Sequence, residues 1–453
     1  MSALLPYLLL DAILLLGAVV LLASRLSFWH PATTYLLFHA YSFSVRAWQL
    51  FDGASPMYAE NSSFDVIRPE EFQRALLLAD VALVVFVAAA YYAHRRFEQA
   101  AHEPIRRRLI NRAAVLTVAG LCLPVGFYVF LTSKAGGVAA NALTETNYYT
   151  VMGMWPIGCL GLLIYLHGFR WYLLLPTALY LGLVAVQGYH RFMLVLPLMF
   201  LASYHLQARR RRWPGLPILC GALLVFLVLP RLKSIGQAVQ AGDFNEAVQL
   251  VGDSFRSTKG LEGSSSEQFL DQYAGALTLA DDYGKVYLGS TYLAIVTLPV
   301  PRSLWPGKPG LGDHTIEIST ARRQYDREGR IITYLGESYL NFRYLGLVLV
   351  PALLGFFLTR WCLHATSGPL HRFEGYLYTV FAMAYIQLFR DGLLSIFVFT
   401  VVHNMPMLFA WILHVLPGFA QRVIDPPPAH PLAQEDLTLG PPAGSLPGGP
   451  PPR

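Results

Sequence analysis

The sequence predicts an all-α, polytopic membrane protein of about eleven spanning helices with one large, mostly helical external loop. Three observations predict it. The chain has 453 residues, of which 55% are hydrophobic and only 14% charged; soluble chains carry about 25% charged residues. Its mean hydropathy is +0.43. Its apolar residues fall in runs of roughly 17–24, the length that crosses a bilayer as a helix.

The runs lie at roughly 4–24, 33–51, 75–93, 113–131, 151–167, 171–187, 191–207, 214–230, 337–359, 375–390 and 393–414. The first lacks a basic leader and contains Asp11, so it reads as a spanning helix and not as a cleavable signal. The second is interrupted by Arg46. Short loops rich in Lys and Arg stay cytoplasmic. The 94–112 segment holds Arg95, Arg96, Arg106, Arg107, Arg108 and Arg112, the 207–213 segment holds Arg209 to Arg212, and the 360–372 segment adds Arg360 and Arg372. With alternating helices these three loops share one face. The N-terminus is then external and the C-terminus cytoplasmic, and residues 231–336 are external. The expected organisation is a 1–230 bundle of about eight helices, the 231–336 loop, about three helices over 337–425, and a tail at 426–453. The tail is too rich in Pro and Gly to build a core and reads as disordered.

The loop has structure of its own. Val239, Phe244, Val248, Val251 and Phe255 recur at helical spacing over 237–257, and 268–284 repeats the pattern. The 286–300 stretch is apolar but short. It fits a short helix, a re-entrant segment or a packed core piece. The 231–282 half is acidic and reads as amphipathic cover. The 299–330 half is basic, with Arg302, Lys308, Arg322, Arg323, Arg327 and Arg330 against Asp313, Glu317, Asp326 and Glu328.

The net charge of +6 does not indicate nucleic acid, because the basic residues cluster in short loops between apolar runs. Cys122, Cys159, Cys220 and Cys362 show no CxxC spacing, so neither a zinc site nor a disulfide framework is predicted. No HExxH, paired Cys/His set, GxSxG, P-loop or dinucleotide fingerprint occurs. The sequence therefore predicts no metal and no cofactor.

External arginine is the strongest chemical signal. Arg191 in QGYHRF, Arg231 and Lys233 at the start of the loop, and Arg302 and Lys308 around SLWPGKP lie on the face where positive charge is least expected. Arginine offers a planar fork that suits phosphate oxygens, although such residues also snorkel to headgroups. Asp313, His314, Glu317 and Glu337 are the acid or base candidates near this surface. Glu337 opens a spanning helix, where the helix dipole also favours it. Trp305 and Tyr325 have rings suited to sugar faces. Within the membrane, Asp11, Arg46 and Asp80 lie on neighbouring helices, which makes an internal ion pair of Arg46 available. Arg390 and Asp391 lie at the outer turn between the last two helices.

Two stretches carry a family resemblance. PVPRSLWPGKPG (299–310) followed by GESYLNFRYLGLVLV (336–350) resembles the oligosaccharide repeat-unit polymerases, the Wzy-type enzymes of O-antigen and exopolysaccharide synthesis. The matching residues are Pro301, Arg302, Trp305, Pro306, Lys308 and Pro309, then Gly336, Glu337, Tyr339, Asn341, Phe342 and Gly346. QGYHRFMLVLPLMF is similar to the family's arginine-bearing turn before a Leu-rich helix. Arg343 stands where the family has glycine.

The resemblance implies a fold like the GT-C glycosyltransferases in a bacterial cytoplasmic membrane, with the working face periplasmic or extracellular. It implies transfer between polyprenyl-diphosphate-linked oligosaccharides, with no cofactor, and with a chain-length regulator and a flippase as pathway partners. On that reading Arg191 and Arg302 neutralise the departing diphosphate, supported by Arg231 and Lys308. Glu337 is the expected base, with His314 and Asp313 as alternatives. Trp305, Tyr339, Asn341, Arg343 and Arg390 are expected to contact glycan or diphosphate. An O-antigen ligase and a transporter without covalent chemistry stay open as alternatives.

Overall fold

The computed structural model describes residues 4–54, 69–98, 110–132, 151–186, 192–221, 232–256, 269–284, 286–297, 305, 333–367 and 372–415. These residues are all-helical, with no strand among them. The chain starts with α1 (Leu5–Leu22), α2 (Pro31–His39), a π-helical turn at Ala40–Ser44 and α3 (Val45–Phe51). Then come α4 (Pro69–Phe97), α5 (Arg112–Thr132), α6 (Trp155–His167), α7 (Trp171–Val186) and α8 (Phe192–Ala208). The loop region contributes α9 (Leu232–Gln240), α10 (Phe244–Arg256), α11 (Phe269–Tyr283) and α12 (Ser290–Thr297). The chain continues with α13 (Thr333–Thr366), α14 (Phe373–Asp391), α15 (Leu393–Phe397), a second π turn at Val398–Val402 and α16 (Met405–Val415).

Among the described residues four helices, α1, α4, α5 and α13, are long and apolar enough to cross a membrane, and α6, α7, α8 and α16 are shorter apolar helices. α1 turns Leu9, Ile13, Leu16 and Val20 outward, as a lipid-facing helix does. Where lipid is as apolar as the side chains, helices associate through close packing. The longest seam, between α4 and α13, shows this. α4 presents Ala75, Ala79, Ala82, Phe86 and Ala90, all fully buried, at intervals of three and four that line up on one face. Gly355 of α13 lies against the Phe86 carbonyl so closely that a β-carbon would collide with it. Any larger residue at 355 must push the two helices apart.

The loop helices differ from expectation in two ways. The periodicity over 237–257 predicts one helix, yet it is split into α9 and α10. Gly242 at φ +79° turns the chain, and the Asp243 side chain accepts the Glu246 amide at 2.9 Å, starting a new helix. The second difference is α11. It is expected as acidic cover, but Asp271, Tyr273, Ala274 and Leu277 are buried. α11 packs into the bundle against α4 and α13. The 286–300 stretch contains a short helix, α12, packed on α13 and α15.

The intramembrane charges also pair differently. Arg46 does not join Asp11 or Asp80. Its Nε and Nη2 donate to the two carboxylate oxygens of Asp271 on α11, each at 2.8 Å. Asp11 and Asp80 instead approach His39.

Candidate functional site

The expected site residues divide into those described and those not. Arg191, Arg231, Arg302, Lys308, His314 and Asp313 lie outside the described residues. Trp305 is described and 44% exposed. Glu337, Tyr339, Asn341, Arg343 and Arg390 are all described, and four of them belong to one segment of α13.

That segment ends at a break. Arg343 has φ +54° and ψ −140° inside α13, a backbone region nearly confined to glycine. The chain turns so sharply there that Gly346 meets the carbonyl of Ser338, leaving no room for a β-carbon. The first part, 333–342, is therefore a separate helical segment. Residues four apart share a face of a helix, while residues two apart point nearly opposite ways. Glu337 and Asn341 face one flank, and Tyr339 and Arg343 face the other.

On the first flank Glu337 is 6% exposed. Its Oε1 accepts the Thr291 hydroxyl at 3.0 Å, and its Oε2 accepts the Leu393 amide at 3.1 Å. Asn341 Nδ2 donates to Thr291 Oγ1 at 2.7 Å and to the Glu337 carbonyl at 2.8 Å. The Thr291 oxygen thus accepts from the amide while its proton goes to the carboxylate. Asn341 Oδ1 accepts the Gly289 amide at 2.9 Å, and the Asn341 and Leu340 carbonyls accept the Leu288 and Tyr287 amides at 3.2 and 3.0 Å. Residues 287–291 are consequently strung along the α13 segment. Tyr292 reaches Ser338 Oγ at 3.4 Å. Burial, with Glu337 next to it, raises the Tyr292 pKa and keeps its phenol protonated.

The second flank is a cationic cluster closed around one acid. Asp281 Oδ2 accepts from Arg74 Nη1 at 2.7 Å, and its Oδ1 accepts from the Tyr339 hydroxyl at 2.7 Å and from Arg343 Nη1 at 3.1 Å. Arg74 Nη2 also donates to the Tyr339 and Tyr344 hydroxyls at 2.8 and 2.7 Å. Arg343 Nη2 donates to the Ala280 carbonyl at 2.6 Å. Two guanidiniums thus converge on the Asp281 carboxylate in this partly exposed cluster.

Arg390 lies on a different helix. It lies in the last turn of α14, 8% exposed, with Nε 3.5 Å from Asp391 Oδ1 and its guanidinium 5.8 Å from the Phe269 ring. The link to the first flank runs through the turn that follows. Gly392, at φ +91°, lets the backbone pass against the Glu337 carboxylate, where a β-carbon would collide.

Sequence reasoning missed Arg74, Asp281, Thr291 and Gly392. Arg74 carried a usable signal, since it lies at the opposite end of α4 from the Arg-rich 94–112 segment, as an external arginine would. Thr291 and Asp281 carried none, because their roles come from partners 46 and 58 positions away. No family model, no curated protein and no solved structure matches this chain.

Proposed function

We propose that the chain is an oligosaccharide repeat-unit polymerase that joins polyprenyl-diphosphate-linked glycans at the outer face of a bacterial cytoplasmic membrane. About eleven spanning helices and a GT-C-like arrangement belong to this reading. In the reaction an acceptor sugar hydroxyl attacks the anomeric carbon of the donor. The bond from that carbon to the diphosphate oxygen breaks, and the hydroxyl proton passes to a base. The diphosphate leaves with its charge neutralised by preorganised cations, the role proposed for Arg191 and Arg302 with Arg231 and Lys308.

One observation supports this reading most. The GESYLNFR–G motif positions each have a distinct physical task. Glu337 and Asn341 hold residues 287–291, Tyr339 joins the Arg74–Asp281 cluster, position 343 takes a glycine-type backbone, and Gly346 permits the close return of the chain. A glycine at 343 in the resembling family is what such a backbone calls for. Glu337 is engaged at both oxygens, which suits a positioning role. His314 and Asp313 are then the proposed proton acceptors.

The test is made in a polymerase-deficient host carrying the rest of the pathway. Expression of the chain is expected to restore a glycan ladder, and Arg302→Ala to abolish it. In a host whose pathway is otherwise intact, deletion of this chain that leaves single capped repeats identifies a polymerase. Polymer retained on the carrier lipid identifies a ligase instead, and repeats facing the cytoplasm identify a flippase.

A further inference from the structure

Three ionisable side chains converge where α1, α2 and α4 meet. Asp11, His39 and Asp80 are 1%, 0% and 1% exposed. His39 Nε2 lies 2.9 Å from Asp11 Oδ1 and 3.4 Å from Asp80 Oδ1. One ligand atom from each residue falls within 4.8 Å of the others. The Asp11 contact is a hydrogen bond, but the Asp80 approach is not, and neither Asp80 oxygen has any hydrogen-bond partner. A fully buried carboxylate aimed at this cluster is therefore left unsatisfied. Aromatic rings wall the site, with Phe43 5.2 Å and Tyr35 6.3 Å from the imidazole. The backbone leaves α-helical geometry directly after His39, at Ala40–Ser44, and π turns are frequent at functional sites.

Electrostatics favours a cation among these ligands. Two carboxylates with one imidazole carry a net charge of −1 or −2, which is costly in an apolar interior unless compensated. A divalent cation with neutral imidazole makes the set neutral. Spacings of 2.9 and 3.4 Å from Nε2 are short enough for the imidazole to share one ion with either carboxylate oxygen. The nitrogen ligand disfavours Mg²⁺ and Ca²⁺, which take all-oxygen shells, and favours a first-row transition ion.

We propose that Asp11, His39 and Asp80 form a buried site for one divalent transition-metal ion that ties α1, α2 and α4 together. Starting from the imidazolium, the ion takes the place of the Nε2 proton between His39 and Asp11; that proton is released to water and the neutral ring keeps its Nδ1 proton. The site is independent of the glycan reading and stands or falls without it.

The test uses the full chain purified in detergent and dialysed against Zn²⁺, with bound metal counted by mass spectrometry and unfolding followed by heating. About one equivalent per chain is expected, with a melting temperature raised by Zn²⁺ and lowered by a chelator. Asp80→Asn is expected to reduce the bound metal at least tenfold and to remove the response to Zn²⁺. Wild-type chain that retains under about a tenth of an equivalent overturns the site, as does equal retention by Asp80→Asn. Should Asp80→Asn not fold, the wild-type stoichiometry and its chelator response decide.

Discussion

The Arg46 guanidinium and the Asp271 carboxylate are joined by two hydrogen bonds of 2.8 Å across 225 positions of sequence. This pair pins α11, a helix of the large loop, into the bundle beside α3. It also explains how Arg46 is accommodated in an apolar run. The fork of the guanidinium matches both carboxylate oxygens, the geometry in which a buried ion pair recovers most of its desolvation cost.

Breaking the pair from one side costs the other charge its matched partner. Asp271→Ala is expected to lower stability by about 3–5 kcal/mol, because the buried Arg46 guanidinium loses the carboxylate that its fork matches. Replacing both by apolar residues of similar volume, Arg46→Met with Asp271→Leu, is expected to recover most of that loss. Thermal unfolding of the detergent-solubilised chain measures both. Equal destabilisation by the single and double variants would show that packing, and not charge, governs the site.

Position 343 sets a backbone cost against side-chain gains. A non-glycine residue at φ +54° and ψ −140° carries about 1–3 kcal/mol of strain. The Arg343 side chain offsets it through the Asp281 ion pair and the bond to the Ala280 carbonyl. Arg343→Gly relieves the strain but loses these bonds, whereas Arg343→Ala keeps the strain and loses them too, so Arg343→Ala is expected to be less stable than Arg343→Gly by about 1 kcal/mol or more. The ordering of the two variants' melting temperatures is the check. An alanine variant as stable as the glycine variant would remove the strain argument.

The same position shows how much the sequence disclosed. Apolar run length located α1, α4, α5 and the body of α13, because a helix that meets lipid is written in consecutive residues. The motif 336–346 was legible as a unit, and the arginine at 343 marked a special position. What was not legible is convergence. Asp11, His39 and Asp80 lie on three helices with no local ligand spacing, and Thr291 meets Glu337 only because the α13 segment folds past residues 287–291. The split at Gly242 went unread because hydrophobic periodicity continues across it. The burial of α11 went unread because its acids made it resemble a solvated helix, when Asp271 is in fact neutralised by Arg46.

Gly392 is the most exposed to substitution of the positions that define the first flank. Its φ of +91° disfavours any side chain, and a β-carbon there meets the Glu337 carboxylate. Gly392→Ala is expected to displace Glu337 from the Leu393 amide and to lower stability by about 1–3 kcal/mol. It is also expected to abolish the glycan ladder in the complementation host. Gly17, which meets nothing within 4 Å, serves as the control, with Gly17→Ala expected to be neutral. A Gly392→Ala variant of normal stability and activity would show that the turn at 392 is free to relax.

Glu337 distinguishes a positioning carboxylate from a proton acceptor. Glutamine keeps one carbonyl oxygen for the Leu393 amide and can turn its amino group toward Thr291, whose oxygen has a second lone pair. Alanine removes both bonds and leaves the Leu393 amide and the Thr291 hydroxyl without these acceptors, at about 1–3 kcal/mol for each buried group left unsatisfied. With the positioning role argued above, Glu337→Gln is expected to retain a glycan ladder, reduced by no more than about tenfold. Glu337→Ala is expected to lose the ladder together with stability. A Glu337→Gln variant that folds with the parent melting temperature and yields no ladder would return the role of base to Glu337, since only the ionised carboxylate can take the acceptor proton. Comparing the ladder with the melting temperature for each variant separates the two roles.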